Sequence, residues 1–88
     1  MSFALKFTEK GRSTLKRLHI GVQSRIKHDL KVLVSDPRIG KKLSGDLEGF
    51  WSWKIGRYRA IYTIEWDCVL VHRVGHRKTV YELSLDKQ

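Results

Sequence analysis

Apolar positions along the chain change period in a way that marks out its elements. Phe3, Leu5 and Phe7, separated by Ala4 and Lys6, have the period of a half-buried strand. Thr8 then reads as a helix N-cap, with Glu9 in the first turn and Leu15 and Leu18 as a short apolar stripe. This first helix, weakened by Gly11, bends away near His19 to Gly21. Val22, Ile26, Leu30 and Leu33 recur at four- and three-residue spacing, with Arg25, Lys27, Asp29 and Lys31 elsewhere on the wheel. A second amphipathic helix therefore runs to about Val34 or Ser35. Asp36-Pro37 stops it, because the residue before a proline is pushed out of helical geometry.

Residues 38–49, rich in Gly and Lys, read as a loop with Leu43 and Leu47 as anchors to the core. Three strands follow. Phe50 to Ile55 and Tyr58 to Glu65 are joined by Gly56-Arg57, a pair with Gly first that suits a type II′ turn. The third strand runs from Cys68 to about Val74 and is ended by Gly75, and Val80 to Leu85 form a last helical turn. The order β-α-α-β-β-β predicts an α+β fold, an antiparallel sheet with two N-terminal helices packed on one face, as a single domain over residues 1–88.

The hairpin sets Lys54 directly opposite Arg59. Like charges facing each other across a sheet cost on the order of 0.2 to 1 kcal/mol, a cost more readily borne where an anion sits between them. Alternation puts Ser52, Lys54, Arg59, Ile61 and Thr63 on one face. Trp51, Trp53, Ile55, Tyr58, Ala60, Tyr62 and Ile64 share the other, which the helices should cover, leaving the Lys54 face open to solvent. The register of the last strand depends on its turn. A three-residue turn sets Arg59 against Arg73 with Arg77 on the same face, whereas a two-residue turn brings His72 and His76 there; the first collects more phosphate-binding guanidinium groups and is preferred.

Charge sharpens this picture. Eighteen Lys and Arg against nine Asp and Glu give a net charge of +9, spread along the chain, which points to a polyanionic partner such as nucleic acid or an acidic protein. A chain of this length buries roughly 60 to 65% of its unfolded surface and has room for one core. Cys68 is the sole cysteine, so an intramolecular disulfide and a Cys-based zinc site are excluded, which fits a reducing cytoplasm. His19, His28 and His72 lack metal-ligand spacing, so neither a metal nor a cofactor is expected. No apolar run approaches the roughly 20 residues of a membrane span, and Met1 to Phe7 is too short for a signal peptide. The expectation is a soluble cytoplasmic protein with no membrane partner.

A surface holding Lys54, Arg59, Arg77 and Tyr81 has the parts for metal-independent RNA cleavage by the ribose 2′-OH. That hydroxyl must lose a proton, the phosphorane must be stabilised and the 5′-oxygen must leave protonated. Lys54 is the candidate base, since a neighbouring cation favours the neutral amine. Arg59 would hold the phosphate and Arg77 the leaving side. His76 is a candidate acid or a polar turn residue, and Tyr81 either stacks on a splayed base or packs with its neighbours. Trp51 and Trp53 read as core.

These same segments, Lys42-Leu43-Ser44-Gly45, then Phe50 through Tyr62, then Val74-Gly75-His76-Arg77 to Val80-Tyr81, resemble the RelE/ParE superfamily of toxins over nearly the whole chain. Val-Gly-His-Arg followed by Val-Tyr is similar to the RelE branch. The resemblance implies a type II toxin that cleaves messenger RNA in the ribosomal A site, with a cognate acidic antitoxin as partner. By position it implies catalytic roles for Lys54, Arg59, Arg77 and Tyr81, with Lys41, Lys42, Arg57, Arg73, His76 and Lys78 as candidate RNA contacts. Ser52 departs from the pattern, because RelE-type enzymes often carry a second basic residue there. The rival expectations are a ParE-like gyrase inhibitor that does no chemistry, and a non-catalytic RNA-binding module.

Overall fold

In the computed structural model, which describes residues 3–82, the chain runs β1 (Ala4–Phe7), α1 (Glu9–Lys16), α2 (Ile20–Leu30), α3 (Val32–Ser35), β2 (Lys41–Lys42), β3 (Trp51–Ile55), β4 (Tyr58–Ile64) and β5 (Cys68–His76). Single 3-10 turns lie at Pro37–Ile39, Gly45–Leu47 and Val80–Glu82. The sheet order is β1-β5-β4-β3-β2.

Helix α1 begins where the sequence marks it. Thr8 is extended and its hydroxyl accepts from the Gly11 amide at 2.9 Å, satisfying one of the donors that a helix start leaves unpaired. The same helix lies hard against β5. The Thr8 amide donates to the Val71 carbonyl at 3.0 Å, and the Val74 amide donates to the Thr14 hydroxyl at 3.0 Å. A β-carbon at Gly11 would overlap the Val71 carbonyl oxygen. Gly11, costly for helix propensity, is therefore what lets α1 approach the sheet.

The second predicted helix is divided at Lys31 into α2 and α3. There the Lys31 amide bonds to the His28 carbonyl and the Val34 amide to the Lys31 carbonyl, both three residues back, a local tightening of the spiral. Asp36, at φ −148° and ψ 85°, leaves helical geometry as a pre-proline residue must. Pro37 to Gly40 is then pinned by Tyr62, whose hydroxyl donates to the Pro37 carbonyl at 2.6 Å. Burial pushes the Tyr62 phenol up to about 12, the nearby Asp36 charge adding to this and the Gly40 amide opposing it.

Ile26, Leu30 and Leu33 from the helices pack on Ile55, Ala60, Tyr62, Val69, Val71 and Val74 of the sheet. This is the Trp and Tyr face, as the alternation predicts. Trp51 stacks on Tyr62 with ring centroids 6.4 Å apart, and the Trp53 indole N–H donates to the Asp29 carbonyl of α2 at 3.2 Å. Both tryptophans serve the core.

Four expectations are corrected. The sheet is mixed, since β1 pairs with β5 in parallel. The return path through α2 and α3 ends beside the start of β1, where the Phe3 amide donates to the Val34 carbonyl at 2.8 Å; β2 and β4 both run against β3, and the step from β4 to β5 restores the direction that β1 shares. The segment 38–49 is not all loop, because Lys41 and Lys42 pair with Ser52 and Trp51. Gly75 does not end β5, since it pairs with Arg59 and the strand continues to His76. Arg59 accordingly does not face Arg73, which sits opposite Ile61. Of the predicted turn Val80 to Leu85, the part Val80–Glu82 is a 3-10 turn and the remainder lies outside the described residues.

The register of β5 has a physical cause. Ile64 pairs with Val69, a loop one residue longer than expected, and a bulge between Ile61 and Tyr62 adds a second one-residue shift. Two shifts restore parity. Val69, Val71 and Val74 all reach the core face, while an unbulged strand would send Arg73 there in place of Val74, and an unpaired charge in an apolar core costs several kcal/mol. His72, the extra residue, bonds Thr63 across the strands at 2.9 Å and meets the Phe50 ring edge-on. Burial pushes its imidazole below the usual range, with Glu65 opposing the shift and Arg73 adding to it.

Two stability tests follow from this packing. Gly11→Ala should lower the denaturant midpoint, because overpacking costs about 1–3 kcal/mol and outweighs the roughly 1 kcal/mol gained in helix propensity. The native state holds His72 neutral more firmly than the unfolded chain does, so its contribution is present above about pH 6.5 and is lost as pH falls below that value toward the lowered native pKa. Unfolding titrations of His72→Gln against the parent should show a flatter acidic arm.

Candidate functional site

The face opposite the helices is not uniformly open. Phe50, Ile61 and Val80 form a small buried cluster on it, with Leu43 and Leu47 packed alongside. The two leucines are thus the anchors that the sequence predicts, and they cover one end of the face. The remainder is an open cleft of about 640 Å³ lined by Lys41, Ser52, Lys54, Arg59, Arg77, Lys78 and Tyr81. Five of these seven residues are cations and none is acidic.

Each lining residue is placed by the sheet. Gly56 has φ +60° and Arg57 is not in the left-handed region, the signature of a type II′ turn, and Lys54 pairs with Arg59 as the two-residue loop requires. Arg59 lies back over the turn, its Nη1 donating to the Tyr58 carbonyl at 3.0 Å and the Gly56 carbonyl at 3.5 Å. Lys41 reaches the cleft through β2, directly across from Ser52. Beyond β5, the Arg77 amide donates to the Arg57 carbonyl at 2.7 Å, which holds Arg77 and Lys78 beside the hairpin tip. Lys78 is further fixed by its amide donating to His76 Nδ1 at 3.2 Å.

Tyr81 closes the cleft from the 3-10 turn Val80–Glu82. It is 43% exposed, and its hydroxyl donates to Ser52 Oγ at 3.0 Å. Ser52 itself is 4% exposed on the cleft floor. Nothing in the sequence assigned Ser52 to this bond, although it shares the face of Lys54 and that parity was the available signal.

All four residues given catalytic roles by the sequence, Lys54, Arg59, Arg77 and Tyr81, therefore meet in one cleft, with Lys41 and Lys78. The other candidate contacts do not line it. Lys42 pairs with Trp51 and has the opposite parity. Arg57 stands exposed at the hairpin tip. Arg73 is 6% exposed and donates from Nη1 to the His72 carbonyl at 2.7 Å. His76 pairs with Tyr58 on the helix side of the sheet, and their rings meet edge-on at 5.9 Å. Its parity, that of the preferred register, turns it away from the cations of the cleft.

Chemically the cleft is suited to an anion and has one aromatic wall. Lys54 offers a point charge that can exchange a proton, and Arg59 and Arg77 offer planar, permanently charged donors suited to phosphate oxygens. Among the described residues no group of three His, Cys, Asp or Glu side chains is arranged to hold a metal ion, and no helix is long and apolar enough to cross a membrane.

Known proteins share this frame. A family model described as the ParE toxin of a type II toxin–antitoxin system matches residues 5–81. Among solved structures, a chain of the toxin–antitoxin complex RelBE2 from Mycobacterium tuberculosis is 29% identical, with a TM-score of 0.78 over 88% of this chain and 93% of that one. A chain of the intact E. coli RelBE complex is 24% identical at TM-score 0.71, covering 85% of this chain and 96% of its own. A chain of the chromosomal ParDE system from P. aeruginosa is 16% identical at TM-score 0.70, with the same coverages. No curated protein matched the sequence. The last two show a common fold. With a family model spanning nearly all of the described chain, the protein belongs to the ParE toxin family of type II toxin–antitoxin systems, within the RelE/ParE superfamily.

Proposed function

We propose that this toxin is a ribosome-dependent endoribonuclease that cleaves messenger RNA by metal-independent attack of a ribose 2′-OH. The observation that carries the reading is the cleft, which joins Lys54, Arg59, Arg77 and Tyr81 without a carboxylate among its lining residues. Lys54 takes the 2′-OH proton, and the resulting oxyanion attacks the adjacent phosphorus. Arg59, directly across the hairpin from Lys54, holds the non-bridging oxygens as negative charge builds on them. The bond from phosphorus to the 5′-oxygen then breaks, leaving a 2′,3′-cyclic phosphate on one fragment and a 5′-hydroxyl on the other. Arg77 neutralises the departing oxygen, which takes its proton from water entering the open cleft. Tyr81 offers its ring to a base splayed out of the message.

A base function left to Lys54 alone, in an open cleft, fits an enzyme that borrows part of its positioning from the ribosome. A chain of net charge +9 has the electrostatics to bind ribosomal RNA. In the same reading the cell holds the toxin in check with an acidic antitoxin. A second groove of about 350 Å³, with Phe7 and Leu15 as apolar lining and Arg12, Lys16 and Lys27 as cations, offers such a segment a landing place away from the cleft.

Gyrase inhibition is the second reading, favoured by the match to a ParE family model and by Ser52, a neutral residue where catalysis is served by a cation. Mapping message ends after induction distinguishes them. Internal cuts at the A site support cleavage, and intact messages with damaged DNA support inhibition of gyrase.

Lys54→Ala should lower the cleavage rate on programmed ribosomes by about 10²–10⁴-fold, the usual worth of a positioned general base, with the thermal midpoint not lowered, since the repulsion with Arg59 is relieved. Full toxicity in the double variant Lys54→Ala, Arg77→Ala would refute the mechanism. Affinity for single-stranded RNA should fall with salt at a logarithmic slope of up to about 3.5 if all five cleft cations meet phosphates, and Lys41→Ala should reduce that slope by about 0.7.

A further inference from the structure

The bond between Tyr81 and Ser52 ties together two elements remote in sequence and sits inside the cleft. Its backbone end is already fixed, since Val80 is fully buried against Phe50 and Ile61 and its side chain lies 3.5 Å from where a β-carbon on Gly75 would be. Anchoring Val80 holds the main chain of the 3-10 turn and leaves the two side-chain torsions of Tyr81 free. The hydroxyl bond to Ser52 at 3.0 Å fixes those as well. Held at both ends, the ring stands as a rigid wall and stays 43% exposed. Ser52 is suited to the task because β3 holds it on the floor, across from Lys41 on one side and Ile61 on the other, two residues from Lys54 on the same face. At the rise of a strand that is a separation of about 6.6 Å along β3.

We infer that Ser52 is a positioning residue, which fixes the Tyr81 ring at a set distance from Lys54 and so determines where a stacked base places its phosphate. This rests on the endoribonuclease reading for its consequence in rate, though the tether itself does not. A cation at position 52 would offer Tyr81 no acceptor. This toxin therefore has a held aromatic wall in place of a second basic group.

The test pairs kinetics with a direct view of the ring. Ser52→Ala and Tyr81→Phe should each slow cleavage on programmed ribosomes by on the order of 10- to 100-fold, the scale of a misplaced reacting group, chiefly in kcat. The double variant should be no slower than either single one, as expected for one shared interaction, and Ser52→Thr, which keeps the hydroxyl, should restore most of the rate. With 3-fluorotyrosine at position 81, the fluorine resonance of the parent should be a single dispersed line that moves when a short RNA is added. In Ser52→Ala it should shift toward the free-tyrosine position and respond less to RNA. A resonance and RNA response unchanged by Ser52→Ala would overturn the inference, as would additive rate losses. If the parent fails to cleave while the resonance still answers to Ser52→Ala, the tether stands and the endoribonuclease reading is what fails.

Discussion

A turn of two residues governs the geometry of the whole cleft. Gly56 adopts the positive φ that a β-carbon would resist, and the chain has no slack to pair Lys54 with anything but Arg59. The repulsion between those cations cannot relax by a slip in register, because a one-residue slip would carry Ile55, Ala60 and Tyr62 out of the core. Burial on the helix side thus enforces like-charge proximity on the other side. Each fully buried aliphatic or aromatic side chain contributes about 1.5–3 kcal/mol, against at most about 1 kcal/mol for the opposed pair, and several such residues are locked to this register. The core can hold the cations in place with much to spare.

The parts of the molecule legible in the sequence are those set by local period and turn chemistry. Thr8, the pre-proline stop at Asp36, the II′ turn and the two faces of β3 and β4 all follow from nearest neighbours along the chain, and each is found. Less legible were features decided by partners distant in sequence. The parallel pairing of β1 depends on where α3 returns the chain, and β2 is only two residues long, too short to show alternation. His76 neighbours the cations in sequence, but the preferred register keeps it off the face of Arg59 and Arg77, and it pairs with Tyr58 on the helix side. The spacing of Val69, Val71 and Val74, two residues and then three, carried the trace of the bulge between Ile61 and Tyr62. Of the cleft, Lys54, Arg59, Arg77 and Tyr81 are visible in the sequence as a group. The bond that joins Tyr81 to Ser52 spans 29 residues and needed the fold.

Similarity to RelE and ParE proteins alike has a structural reading. The scaffold demands an apolar helix-facing side and asks less of the other face, where Phe50, Ile61 and Val80 with Leu43 and Leu47 form a small cluster at one end. A protein built this way can exchange the side chains of the remaining area with little effect on its core. The buried face therefore carries the fold, and in the proposed reading activity resides in a few positions of β3, β4 and the segment after β5.

The bulge at His72 separates the demands on a single strand. Ahead of it, β5 is committed to the core through Val69 and Val71; after it, the backbone delivers Gly75 opposite Arg59 and carries the chain on to Arg77 and Tyr81. It works like a phase-setting insert in a reading frame. Substitutions on either side can accumulate independently, but loss of one residue there would invert everything downstream, turning Arg73 inward and Val74 outward while each local segment still looked like a good strand. Deletions at this point should be far rarer among functional descendants of this chain than substitutions.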